Sequence, residues 1–153
     1  MQKLDNVEIT RQTYEKIAKW YADKHIPTLW EDEQKKFESF LKRGAKILDA
    51  GCGPGRDTKY FTDHRYDTIG IDFSSSMLAE AKKRFPDCKF SLMDMRKLTF
   101  EPESFNGIWC CASLLHFRRE ELPAVFKNIN KVLKEDGVLF VAGELPHGKP
   151  WGI

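Results

Sequence analysis

Three aspartates stand at or near the ends of three short apolar runs, and a glycine cluster follows the first of them. The first run, Lys46-Ile-Leu-Asp-Ala50, leads into Gly51-Cys-Gly-Pro-Gly55. Glycines in such a turn let the backbone bend tightly and let a ligand approach the main chain with no Cβ in the way. A glycine-rich turn that holds nothing is the plainer alternative. Asp72 closes the second run, about 20 residues after the first glycine, where a carboxylate can accept hydrogen bonds from both ribose hydroxyls of an adenosine. It could equally cap the helix that follows, and the two roles are compatible. Asp94 follows the third run and could accept from an adenine amino group beside Met95. Alone it would read as a loop or cap residue; three acids at the ends of three consecutive strands point to a ligand.

The spacing restricts which adenosine ligand this is. A nicotinamide dinucleotide site needs GxGxxG, with a helix N-terminus on the pyrophosphate. Here the spacing is GxGxG, and Arg56 stands where the third glycine should be. A Walker loop needs GK[ST], which Gly55-Arg56-Asp57 does not supply. Asp49, just before the loop, would repel a phosphate and suit an amino group. The combination favours an adenosine that carries an ammonium and no phosphate, over a nicotinamide-dependent oxidoreductase.

These residues need a scaffold, and the hydrophobic pattern supplies one. Thr68-Ile-Gly-Ile-Asp72, Lys89-Phe-Ser-Leu-Met93, Phe105 to Ala112 and Val138 to Ala142 continue the series of short apolar runs. Between them, Ser74 to Arg84 reads as a helix behind a cluster of N-cap candidates. Glu120 to Lys134 carries Leu122, Val125, Phe126, Ile129 and Leu133 on one face, with Pro123 in its first turn and Gly137 closing it. Ahead of the first run, Tyr14, Ile17, Ala18 and Tyr21 form one helical stripe, Pro27 interrupts it, and Phe37, Phe40 and Leu41 form another that Gly44 ends. Alternating runs and helices predict an α/β fold: a Rossmann-like open, mainly parallel sheet of about five strands, helices on both faces, and an N-terminal helical segment. The expected organisation is one domain, 1–153, with a helical lid over 1–43, a core over 44–144 and a tail over 145–153.

Ile47-Leu-Asp-Ala-Gly-Cys-Gly-Pro-Gly55 resembles the first motif of the class I S-adenosylmethionine-dependent methyltransferases, small-molecule type. Ile69-Gly-Ile-Asp-Phe-Ser-Ser-Ser-Met77 is similar to their second motif and Leu92-Met-Asp-Met95 to their adenine loop. Phe105 to His116 is similar to their fourth-strand segment, and Leu133-Lys-Glu-Asp-Gly-Val-Leu-Phe140 to the turn into strand five. Tyr14-Glu-Lys-Ile-Ala-Lys-Trp-Tyr21 resembles the helix that covers the cofactor in many members. The resemblance implies S-adenosylmethionine as cofactor and methyl transfer to a small-molecule acceptor. It implies Gly51, Cys52 and Gly53 along the methionine part, with Asp49 near its ammonium and the Cys110 backbone near the sulfonium. Asp72 would hold the ribose, Phe73 and Met77 would lie against sugar and adenine, and Asp94 and Met95 would read the adenine edge. Tyr14 and Tyr21 would close over the amino-acid end, or simply form the packed face of their helix. Displacement at a methyl carbon needs mainly a near-attack geometry. A general base is required only when the acceptor must lose a proton. His116 is the candidate for that step, a packed core histidine being the alternative.

Composition excludes other classes. Of 153 residues, 25 are Lys or Arg and 23 are Asp or Glu, a net charge of +2, so no strong field draws the chain to nucleic acid or anionic lipid. The longest apolar run, Ile108 to Leu115, is far short of the about 20 residues a bilayer span needs. Cys52, Cys88, Cys110 and Cys111 contain no CxxC pair, so no metal site is expected, and a reducing cytoplasm is the expected location. The family fold usually continues past strand five with a helix and two further strands. Glu144 to Ile153, with two prolines and two glycines, is not expected to supply them. Strand five is therefore expected at a sheet edge, with Leu139, Phe140 and Val141 poorly covered, which suggests self-association there. It also leaves open a non-catalytic S-adenosylmethionine-binding or interaction module.

Overall fold

Strands buried on both faces read as continuous apolar runs rather than as alternation. That is how β1 (Lys46–Ala50) and β4 (Phe105–Cys111) occupy the middle of the sheet in the computed structural model, which describes residues 6–24 and 30–143. The flanking strands are β2 (Asp67–Asp72), β3 (Lys89–Leu92) and β5 (Leu133–Ala142), and all pair in parallel in the order β3-β2-β1-β4-β5. The chain steps from β1 to β2 and β3, then returns to lay β4 on the other side of β1. That reversal opens a crevice beyond the carboxyl ends of β1 and β4.

Among the described residues five α-helices flank the sheet: α1 (Asn6–Lys24), α2 (Glu31–Ser39), α3 (Arg56–Asp63), α4 (Ser75–Arg84) and α5 (Leu122–Val132). On one face Phe37 of α2 and Phe61 of α3 pack on Ile47 and Trp109. Trp109 is stacked on Phe140 of β5, ring centroids 3.9 Å apart. On the other face Val125, Ile129 and Val132 of α5 pack on Leu48, Phe105 and Ile108, joined by Val7 from α1. Each large side chain removed from water in this way stabilises the fold by about 1.5–3 kcal/mol. No helix of the described residues is long and apolar enough to cross a membrane.

Three elements differ from their sequence reading. Helix α2 ends at Ser39, before Phe40 and Leu41 of the expected stripe, and Phe40 is exposed. Residues 56–63, for which the sequence pattern marks no element, form helix α3, whose sheet-facing residues are Thr58 and Phe61, both fully buried. With one large apolar residue on that face, the stretch carries little hydrophobic period to read. Helix α5 ends at Val132 rather than Lys134, and the strand assignment begins at once with Leu133. Phe105 pairs with Leu133 and Gly107 with Val138, so Lys134–Gly137 bulge out opposite Asn106. The polar residues that read as a turn form that bulge, and a Cβ on Gly137 would lie 2.5 Å from Leu133 Cδ1. The break at Pro27 and the tail over 145–153 lie outside the described residues.

The serine run before α4 does more than cap it. Ser74 is the N-cap, its Oγ accepting from the Met77 N–H at 3.2 Å. Its hydroxyl donates in turn to Glu15 of α1 at 3.0 Å. Ser75 Oγ and the Ser76 N–H and hydroxyl also donate to Glu15. Burial alone would raise the Glu15 pKa, but the hydrogen bonds from Ser76, Ser74 and Ser75 outweigh it and hold the carboxylate below its ordinary value. Asp23 near the other end of α1 pairs with Arg84 of α4. Helix α1 is thus pinned across α4.

Candidate active site

The glycine loop turns where side chains are least tolerated. Gly51, Gly53 and Gly55 have φ of +80°, +52° and +89°. A Cβ on Gly51 would lie 2.3 Å from the Ser113 Cβ, so the loop must be bare there to pass the end of β4. Around Gly53 nothing would meet a Cβ, and its open face borders the cavity. The N–H groups of Gly51 and Cys52 donate to the Ile71 carbonyl at 2.9 and 2.8 Å, tying the loop to β2.

Gly53 also donates its N–H to Asp72 Oδ2 at 2.9 Å, while Ser74 donates to Asp72 Oδ1 at 2.9 Å. One carboxylate thus joins the loop, the end of β2 and the start of α4. Burial pushes its pKa up, and the N–H groups of Ser74, Gly53 and Phe73 pull against that shift. Phe73, Met77, Met93 and Met95 form an apolar wall beside it. Asp94 borders the same wall and caps the short turn Met95–Lys97 by accepting from the Arg96 N–H at 2.8 Å. Its carboxylate is also held by the Arg96 guanidinium at 2.8–3.2 Å, so any adenine amino group shares this acceptor with Arg96.

Gly51, Gly53, Asp72, Met77, Asp94 and Met95 line one cavity of about 550 Å³, within the range of about 300–1,000 Å³ typical of small-molecule sites. Two residues expected on its wall are elsewhere. Asp49 is buried beneath the loop, 2% exposed, and accepts from Thr58 Oγ1 at 2.7 Å. Burial, and then the Asp57 charge, push its pKa up to about 8. Cys110 is fully buried among the residues under α5. β4 ends at Cys111, and Cys111, Ala112 and Ser113 form the wall instead. Among the described residues, Ser113 Oγ is the one buried side-chain oxygen or nitrogen without a hydrogen-bond partner.

An aromatic cluster of Tyr14, Tyr21 and His116 lines the same cavity. Tyr14 Oη and His116 Nε2 share a hydrogen bond of 3.0 Å, and Tyr21 packs edge-on to Tyr14 with centroids 5.5 Å apart. Burial lowers the His116 pKa, so the imidazole is neutral at neutral pH. Burial, then the Asp72 charge, raises that of Tyr14, and burial takes Tyr21 up to about 12, so both phenols keep their protons.

A further group has no counterpart in the sequence reading beyond Arg56 as a departure from a glycine fingerprint. Arg56 Nε and Nη2 donate to the two oxygens of Asp57 at 3.0 and 3.1 Å. Gln34 Nε2 of α2 and Trp109 Nε1 of β4 donate to the same carboxylate at 2.9 and 3.0 Å. Adjacent charged residues in a helix show no sign in sequence of a shared buried partner, and neither does a glutamine in a charged helix.

The residues fit an adenosine ligand: an oriented carboxylate on the cavity wall, an apolar slot beside it and a glycine bared toward the cavity. Comparisons with known proteins agree. Residues 47–137 match the family model described as a methyltransferase domain. Phosphoethanolamine N-methyltransferase 1 of Zea mays is 30% identical over 147 residues, covering 91% of this chain and 29% of that protein. A TehB-like SAM-dependent methyltransferase from Corynebacterium glutamicum superposes with a TM-score of 0.65 at 25% identity, covering 87% of this chain and 71% of the other. The [4+2]-cyclase SpnF, 20% identical, shares the fold with a TM-score of 0.73, covering 97% of this chain and 66% of its own. The chain spans 29% to 56% of the length of the first curated relatives it matches. With the family model running from β1 through the glycine loop to the start of β5, and the strand order that places the loop at the switch point, this chain belongs to the class I S-adenosylmethionine-dependent methyltransferases.

Proposed function

We propose that this chain is a catalytic domain that transfers the methyl group of S-adenosylmethionine to a small-molecule acceptor. One observation carries the reading: a single cavity joins the Gly53–Asp72–Met95 wall to the Tyr14–His116 pair. The cofactor, when bound, supplies an activated methyl group on a sulfonium. Asp72 accepts from the ribose hydroxyls, Phe73, Met77 and Met95 pack against the base, and Gly51 to Gly53 receive the methionine part along bare backbone. The neutral His116 imidazole takes the proton an acceptor loses, with Tyr14 fixing the ring by its hydrogen bond to Nε2.

The aromatic wall of Tyr14, Tyr21 and Trp30 would suit an amine, whose developing positive charge faces aromatic rings favourably. The maize relative is named for an N-methylation, which supports starting an acceptor panel from small amines. The balanced charge of the chain supports a small molecule over a nucleic acid, and a cytoplasmic location remains part of this reading. The outer edge of β5 pairs with no strand among the described residues, and Leu139 and Val141 are 37% and 47% exposed. This supports self-association along that edge.

The test is a calorimetric titration with S-adenosylhomocysteine followed by methyl-transfer assays. Asp72→Ala should weaken cofactor binding by about 1–3 kcal/mol, the cost of stranding partners of a charge-assisted hydrogen bond. His116→Asn should leave that affinity in place and lower kcat about 10²–10⁴-fold for an acceptor that must lose a proton. Wild-type turnover should rise with pH through a value below 6.5, since burial lowers the His116 pKa. Full affinity in Asp72→Ala would refute the ribose assignment.

A further inference from the structure

The turn that carries Asp94 and the turn that carries His116 are both packed on α5. Met95 from the first, and Leu114 and Phe117 from the second, are buried in the core that Val125 and Ile129 help to form. Asn128 Nδ2 of α5 donates to the Arg96 carbonyl at 2.7 Å, fixing the first turn to the helix. The second turn is closed by its own backbone, the His116 and Phe117 N–H groups donating to the Ser113 and Leu114 carbonyls. Glu121, directly before α5, touches both turns. Its Oε2 accepts from the Arg118 N–H at 2.8 Å, two residues past His116, and its own N–H donates to the Arg118 carbonyl at 2.9 Å. Its Oε1 accepts from Arg96 Nη1 at 3.5 Å. The same guanidinium holds Asp94 through Nε and Nη2 at 2.8–3.2 Å. A planar guanidinium presents its donors in a fixed fork, so one arginine can serve two carboxylates at once.

We infer that Glu121 is a positioning residue for the turn that carries His116, and that Arg96, shared between Asp94 and Glu121, ties that turn to the amino group of a base beside Asp94. The inference rests on the proposed cofactor. An amino group that donates to Asp94 competes with the Arg96 fork for the same two oxygens. The guanidinium then shifts its hold toward Glu121, which steadies the Arg118 N–H and the turn before it. A base without that amino group leaves Arg96 on Asp94 and the turn as it was.

The experiment compares S-adenosylhomocysteine with its analogue whose purine lacks the 6-amino group, in wild type, Glu121→Gln and Arg96→Met. Amide hydrogen exchange over residues 114–121, with both ligands at saturation, reads the turn, and the amides of β1 serve as the reference for global unfolding. Calorimetry reads the ratio of the two affinities. In wild type the amino form should slow exchange about tenfold more than the analogue and bind about tenfold more tightly, the range of one hydrogen bond to a charged group. Glu121→Gln should abolish the difference in exchange and lower the affinity ratio, because Arg96 then gains less by leaving Asp94. Arg96→Met should also abolish the difference in exchange but raise the ratio, since the guanidinium no longer competes for Asp94. A purely structural loss would move exchange alike with either ligand and would not send the ratio in opposite directions. Equal protection by the two ligands in wild type overturns the link, as does a difference that survives in Glu121→Gln or a ratio that does not rise in Arg96→Met. If wild type binds neither ligand, the proposed cofactor fails. Glu121 is then judged in the unliganded protein, where faster exchange at 114–121 in Glu121→Gln upholds its hold on the turn and an unchanged rate refutes it.

Discussion

Asp49 illustrates how position beneath a loop overrides residue type. Its carboxyl is buried at 2% exposure with the Thr58 hydroxyl donating to it, and burial together with the Asp57 charge takes its pKa from 3.8 to about 8. The folded state therefore holds a proton that the unfolded chain has released between about pH 4 and 8. This contribution to stability is complete below the unfolded value and is lost as pH rises through the folded one. The Asp72 shift has the same sign. Asp49→Asn, which mimics the protonated acid and can still accept from Thr58, should melt above wild type by a margin that is small at pH 5 and clearly larger at pH 8.5. Thermal melts followed by circular dichroism at the two pH values read this directly, and parallel pH slopes would mean that Asp49 is already ionised. At this scale Asp72 and Met77 were legible because a strand end and a cap position place them in any fold of this pattern. Asp49 was misplaced because the depth of a carboxylate below a loop depends on the helix packed behind it.

At the scale of elements, the contact that matters most to the site is the seam between α1 and α4. Glu15 gathers four hydrogen bonds from three successive serines, so one side chain locks α1 onto the N-terminus of α4. Glu15→Ala removes an anchor in the range of about 1.5–3 kcal/mol for bonds to a charged group. Amide exchange along Asn6–Lys24 should then quicken about tenfold or more, since opening of a docked helix follows its local free energy. Affinity for S-adenosylhomocysteine should fall with it, because Tyr14 and Tyr21 ride on the same helix. Unchanged exchange would mean that Val7 and the other buried residues of α1 suffice to hold it. The helical stripe of α1 was readable from its period, but its docking partner was not: Ser74 to Ser76 looked like caps, and one cap hydroxyl serves two acceptor–donor partners at once.

For the molecule as a whole, the sheet leaves one prediction. β5 is paired on one side only among the described residues, and its exposed Leu139 and Val141 form an uncovered strip. Edges of this kind are usually paired or covered. Sedimentation equilibrium over a concentration series should show mass rising above that of the 17.8 kDa chain, and Val141→Lys should return it to the single chain. A wild-type mass that stays at one chain throughout would remove the self-association reading.

By itself the sequence determined the parallel α/β class, the position of the glycine loop after the first strand and the acids at the strand ends. Those features follow from local rules: apolar runs that must be buried on both faces, glycines that alone accept the turn, and carboxylates at fixed offsets from both. Only the tertiary structure decided that Tyr14 meets His116 across 102 residues, and that Glu15 reaches the serine run. The same holds for Gln34 and Trp109 converging on Asp57 to steady Arg56. Such meetings depend on how helices from distant parts of the chain settle on a twisted sheet. Hydrophobic period fixes which face of an element turns inward but not which side chain it meets there.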